Sequence, residues 1–133
     1  MKIVCGDYLK VVEIGDYKFW DLIKEIVVMF FKEKKDVAEA KLFFETGNCS
    51  YEDSYKVAKQ INLIRDELAS IKIQRLDEIK ENIISDTEYL NNISPIVTSF
   101  ANLFITSNGE DAFYEMVKIL CFSHFKKENI WIE

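Results

Sequence analysis

Only one proline and four glycines punctuate the 133 residues, too few for a low-complexity linker or a Gly- and Pro-rich disordered segment. A single histidine, His124, limits every proposal of acid–base or metal chemistry. The three cysteines, Cys5, Cys49 and Cys121, are an odd number at wide spacings, which excludes a disulfide framework and provides no paired Cys-x-x-Cys. No apolar run reaches the roughly 18 residues of a membrane-spanning helix. The strongest one, Leu22 to Phe31, contains Lys24 and Glu25 and reads as a buried helix. Without a cationic start, apolar core and small-residue cleavage site, the expected location is the cytoplasm, with no membrane contact. A glycine-rich phosphate loop and a Gly-x-Ser-x-Gly turn are also lacking.

What the chain does have is apolar content and negative charge. Hydrophobic residues make up 49%, enough for one core at this length, and residues 1–133 are expected to form a single domain. Seventeen Lys plus Arg stand against 23 Asp plus Glu, a formal charge of −6. That balance disfavours direct binding to nucleic acid, whose phosphates attract clustered cations, and favours a basic protein partner. The longest basic run, Lys32 to Lys35, is interrupted by Glu33 and closes an apolar segment, where cations complement a helix C-terminus.

The pattern predicts an α+β fold with N-terminal β-strands, a helical middle and a C-terminal strand, helix and strand. Gly6 and Asp7 mark a turn between two short strands; in the second, Tyr8 to Ile14, both faces carry apolar groups, so alternation does not set the register. Asp16 is placed to cap a helix from Tyr17 to Lys32, with Phe19, Ile23, Ile26, Val27 and Phe30 at helical spacing. A shorter helix, Asp36 to Glu45, ends before Gly47. Ser50 is placed to cap a third helix, with Glu52 and Asp53 in its first turn and an apolar stripe of Ala58, Ile61, Ile64, Leu68 and Ile71. Between Lys72 and Tyr89 the apolar residues suit a short strand or a helix equally. Pro95 biases Ser94 towards extended backbone and opens a new element. Asn102 to Thr106 reads as a strand. Ser107 and Glu110 match a capping box ahead of a helix from Gly109 to Phe125. Asn129 to Glu133 alternates as a final strand.

Candidate chemistry is sparse. Cys121 and His124, three apart on that last helix, share a face and suit a thiolate–imidazole pair or half of a metal site. A free cysteine is more commonly a buried small hydrophobe, and Cys121 is expected to be one, beside a partly exposed His124. The carboxylate pairs Asp77 with Glu81, Glu110 with Asp111, and Asp86 near Glu88 lack the split environments that two-carboxylate catalysis requires. Tyr51, Tyr55, Tyr89, Trp20 and Trp131 suit either an interface or the core. Tyr89, in a polar stretch beside Asp86 and Glu88, is the one expected outside. No cofactor and no metal are implied.

From Asn91 to Phe113 the chain reads Asn-Asn-Ile-Ser-Pro-Ile-Val-Thr-Ser-Phe-Ala-Asn-Leu-Phe-Ile-Thr-Ser-Asn-Gly-Glu-Asp-Ala-Phe. This resembles the bacterial immunity protein 70 family, in which an Asn-Ile-Ser start leads to a strand ending in Thr-Ser, then Asp/Asn-Gly and a helix. Glu13-Ile14-Gly15-Asp16 and the aromatic helix after it are also similar. The resemblance implies a small cytoplasmic protein, encoded beside a polymorphic or contact-dependent toxin, that protects its producer by binding the toxin's C-terminal domain. It brings no catalytic residues. The expected partner-binding residues are the acidic stretch Asp77, Glu78, Glu81, Asp86 and Glu88 together with Tyr89, facing a basic toxin. The alternatives are an unrelated cytoplasmic regulatory or structural interaction module and a small enzyme or metal protein.

Overall fold

Backbone pairing ties the two ends of the chain together in the computed structural model, which describes residues 1–84 and 87–133. Strands β1 (Lys2–Cys5) and β2 (Lys10–Glu13) are antiparallel, with Ile3 opposite Val12 and Cys5 opposite Lys10. The turn between them uses positive φ at Gly6 and Tyr8, and the Leu9 N–H donates to the Cys5 carbonyl at 3.0 Å. In chain order there follow α1 (Tyr17–Phe31), α2 (Ala38–Thr46), α3 (Tyr51–Ala69), α4 (Leu76–Ile79), α5 (Thr87–Asn91), α6 (Ala112–Lys126) and β3 (Ile130–Ile132). Strand β3 lies antiparallel on the other side of β1, giving the order β2-β1-β3. Lys2 and Glu133 exchange both backbone hydrogen bonds, at 2.8 and 2.9 Å. Next to β3, Cys49 and Ile130 do the same at 3.0 and 2.8 Å, covering part of that edge. The α+β architecture is the expected one.

Helix ends follow local chemistry, with two substitutions of partner. Asp16 caps α1 by accepting from the Phe19 N–H at 2.9 Å. The cation at the C-terminus of α1 comes from α2: Lys41 Nζ donates to the Phe31 carbonyl at 3.1 Å, while Lys32 to Lys35 lie in solvent. Gly47 closes α2 in the left-handed region, at φ 72°, its N–H bonded to the Phe43 carbonyl at 2.8 Å. Ser50 stands at the N-cap of α3, but its hydroxyl donates to the Asp53 carboxylate at 3.3 Å and accepts from no helix N–H.

Helices α3 and α6 pack most extensively against each other, and α6 also covers β1 and β2. The expected stripe of α3 is the buried one, with Ala58, Ile61, Ile64 and Leu68 in the core. Eight aromatic side chains, Phe19, Trp20, Phe31, Phe43, Phe44, Phe100, Phe104 and Phe113, join it, each contributing about 1.5–3 kcal/mol or more by leaving water. Trp20 contacts Phe43 and Phe44 with ring centroids 5.7 and 5.4 Å apart, so it is a core residue and not an interface anchor.

Two expectations in the last third change. Residues 102–106 do not form a strand; Ile105 makes a single bridge to Asp111. The Ser107 and Glu110 capping box is not used, because Thr106 holds the intervening loop. Its carbonyl accepts from the Gly109 N–H at 2.9 Å and its hydroxyl from the Glu110 N–H at 3.1 Å. Gly109, at φ 80°, turns the chain, and Asp111 becomes the N-cap, accepting from the Tyr114 N–H at 3.0 Å. Arg65 of α3 donates to the other carboxylate oxygen of Asp111 at 2.8 Å, which ties α6 to α3 at this end.

Candidate partner-binding face

After α3 the chain leaves the regular body. Ile71 and Ile73 pair briefly with residues 98–100: the Ile73 N–H donates to the Thr98 carbonyl at 3.1 Å and the Phe100 N–H to the Ile71 carbonyl at 3.2 Å. Beyond this neck, the stretch between Lys72 and Tyr89, open to strand or helix by its sequence, forms short helical turns: Ile73–Arg75, α4, Lys80–Asn82 and the start of α5. Lys80 Nζ donates to Asn91 Oδ1 and joins these turns to α5. Residues 94–105 return as turns fastened by side chains. Asn102 Oδ1 accepts from the Thr98 and Ser99 N–H groups, both at 3.1 Å, and its Nδ2 donates to the Ile96 carbonyl at 3.2 Å. Such side-chain partners replace the ladder bonds that a strand would have supplied.

Apolar anchors dock this lobe on the body. Phe100 meets Phe30 at 5.2 Å between centroids, and Phe19 meets Tyr89 at 5.2 Å and Phe104 at 5.8 Å. Tyr89 is therefore half-buried, contrary to the expectation that it lies outside. Its hydroxyl donates to the Leu103 carbonyl at 2.6 Å and accepts from the Ile105 N–H at 3.2 Å, so a polar neighbourhood in sequence concealed a ring that closes the core. Leu76, Ile83, Leu90 and Val97 are buried as well.

The outside of the lobe is acidic. Between Leu76 and Glu110 six carboxylates stand against one cation, Lys80, so this stretch holds five of the six excess negative charges of the chain. Asp77, Glu78, Glu81 and Glu88 are exposed. Glu78 pairs with Arg75 at 3.4 Å across solvent, a contact of little energetic weight. Asp77, Glu81 and Glu88 have no ion pair among the described residues. Asp86 lies outside the described residues. The lobe also carries two aliphatic side chains in water, Ile84 at 92% and Ile96 at 76% exposure. Sequence reasoning missed both, because Ile83 and Ile84 fit one apolar pattern although only Ile83 is buried. Between α5 and the returning segment lies a cavity of about 240 Å³ lined by Tyr89, Asn92, Ile93, Ser94, Ile96, Val97, Leu103 and Ile105.

The other candidates disperse. His124 stacks on Tyr55 at 5.2 Å, and Cys121 is exposed, not buried as expected. Desolvation pushes the Cys121 thiol up, the direction opposite to an activated thiolate. Cys5 and Cys49 are buried in other elements, and no group of three or more His, Cys, Asp or Glu suited to a metal occurs among the described residues. Asp77 and Glu81 do not share a helix, since α4 ends at Ile79, and Asp111 is spent on Arg65 and the α6 cap. Tyr51 and Trp131 are half-buried and Tyr55 is exposed. No described helix is long and apolar enough to cross a membrane.

A family model described as Immunity protein 70 matches residues 10–132, from the first residue of β2 to the last of β3. No curated protein and no solved structure matches.

Proposed function

Since the chain belongs to the Immunity protein 70 family, we propose that it neutralises a cognate bacterial toxin domain by binding it directly through the acidic lobe. The family supplies the immunity role in general terms. The finer reading is that the protein acts in the cytoplasm of its producer, in a polymorphic or contact-dependent toxin system, and contributes binding without a reaction step. The observation that carries the choice of face is the concentration of charge between Leu76 and Glu110, beside Ile84 and Ile96. A one-signed patch raises the encounter rate with a basic partner, and desolvated aliphatic side chains slow its release. Asp77, Glu78, Glu81, Asp86 and Glu88 form the electrostatic part. Tyr89 supports the face from beneath by holding the 103–105 segment.

The test pairs this protein with the C-terminal domain encoded by the neighbouring gene, measuring growth rescue, co-purification and affinity over a range of salt. The triple variant Asp77→Lys, Glu81→Lys, Glu88→Lys should weaken binding at least about tenfold at low salt and flatten the salt dependence. Unchanged affinity and slope would dispose of this face. Toxicity with neither rescue nor complex would favour an unrelated interaction module, and rescue without a complex would reopen an enzymatic reading.

A further inference from the structure

The cavity beside α5 is lined by residues 89–105 of the acidic lobe, directly after Glu88 in the chain, and its chemistry selects its occupant. Its walls are aliphatic apart from Tyr89, Asn92 and Ser94, and these three polar groups bond to the lobe's own backbone. The Tyr89 hydroxyl serves Leu103 and Ile105, Asn92 Nδ2 donates to the Glu88 carbonyl at 3.1 Å, and Ser94 Oγ accepts from the Ile96 N–H at 3.4 Å. With these groups turned to the backbone, five of the eight lining side chains are aliphatic. The space of about 240 Å³ suits a large apolar side chain, and Ile96 stands in solvent at its mouth.

We infer that this cavity receives one large apolar side chain projecting from a basic surface of the toxin. The carboxylates around the lobe select the sign of the partner, and the cavity fixes its register, as a central desolvated anchor ringed by polar groups does in tight complexes. The inference rests on the proposed function, because the acidic lobe is what makes a basic protein the occupant in preference to a second copy of this acidic chain.

Two measurements test it. Free indole titrated into the isotopically labelled protein should shift the methyl resonances of Ile93, Ile96, Val97, Leu103 and Ile105 and leave those of α3 in place; no shift at these methyls overturns the cavity as an apolar site. Ile93→Phe, which fills the space from its wall, and Ile96→Ser, which trims the exposed mouth, are then compared for toxin binding. Both should weaken it, Ile93→Phe by about tenfold or more, with the salt slope unchanged. Wild-type affinity in the folded Ile96→Ser protein overturns the anchor, even where Ile93→Phe fails to fold. If the charge-reversed triple variant loses binding while both cavity variants keep it, the cavity inference alone falls. If all of them bind as wild type, the acidic face falls with it. Mutual displacement of two copies, seen as a dimer in sedimentation that indole dissolves, would replace the toxin by a second copy as the occupant.

Discussion

The β1–β3 sheet with α1, α2, α3 and α6 buries its apolar residues through repeating geometry, whereas residues 71–111 do so through side chains that bond to nearby backbone. In the body, helices and paired strands satisfy most N–H and C=O groups through regular backbone ladders, and a stripe such as Ala58, Ile61, Ile64 and Leu68 is buried as a set. In the lobe, Asn102, Ser99, Thr106 and Tyr89 accept or donate the bonds one by one. The body uses its charges in near balance, while the lobe holds most of the excess negative charge and the two most exposed aliphatic side chains, Ile84 and Ile96. The difference separates two tasks: the regular half holds the shape, and the irregular half displays a surface. Segments fastened by few ladder bonds open at lower free energy, and binding surfaces are commonly drawn from them.

The sharpest way to break this contrast is at Gly47. A Cβ there would meet Ile132 Cγ1 at 2.4 Å, on a backbone held at φ 72°. Gly47→Ala combines left-handed strain with overpacking at the end of the sheet, and should cost about 2–5 kcal/mol, read as a fall in the urea midpoint. A loss under about 1 kcal/mol would mean that the sheet yields as readily as a surface loop.

Cys49 tests the same junction by pH. Burial, with Asp53 adding to it, pushes its thiol from the ordinary 9.0 up to about 11. The folded state therefore keeps a proton that the unfolded thiol gives up, so the stability contribution is complete below pH 9.0 and is lost as pH rises towards about 11. By pH 11 the loss should reach about 1–2 kcal/mol in the wild type relative to Cys49→Ala, whose urea midpoint lacks this component. Parallel pH profiles for the two proteins would show that the thiol is not sequestered.

The smallest expected effect is the most local one. Tyr89→Phe removes the hydroxyl between the Leu103 carbonyl and the Ile105 N–H. It should cost about 1–2 kcal/mol and speed hydrogen exchange at Ile105 without altering the amides of α3. Faster exchange throughout α3 would show that body and lobe open as one unit.

The places where the residues spoke clearly share one property: their partners are close in the chain. Asp16 reaches Phe19 three residues on, Gly47 closes its own helix, and the stripe of α3 repeats every three to four residues. The acidic stretch was equally plain, since charge is a property of composition. The lobe was not readable in this way. Ile105 was expected in a strand, but Tyr89, sixteen residues earlier, takes its N–H. Ser107 was expected as a cap, but Thr106 holds the loop and Asp111, with Arg65 across from it, starts α6. Tyr89 was expected outside because its neighbours are polar, whereas Phe19, from a distant helix, covers its ring.

By itself, then, the sequence determined an acidic α+β domain with three N-terminal helix frames and a turn at Gly6, because propensity, capping and periodicity act over a few residues. Tertiary structure alone decided the register of β2, where Val12 is buried and Val11 faces out, the threading of β1 between β2 and β3, and which of Ile83 and Ile84 meets water. It also decided that a cavity lies between α5 and the returning chain. Each of these depends on surfaces brought together across tens of residues, and a local pattern that fits both faces of an element holds no information about which face a distant partner will cover.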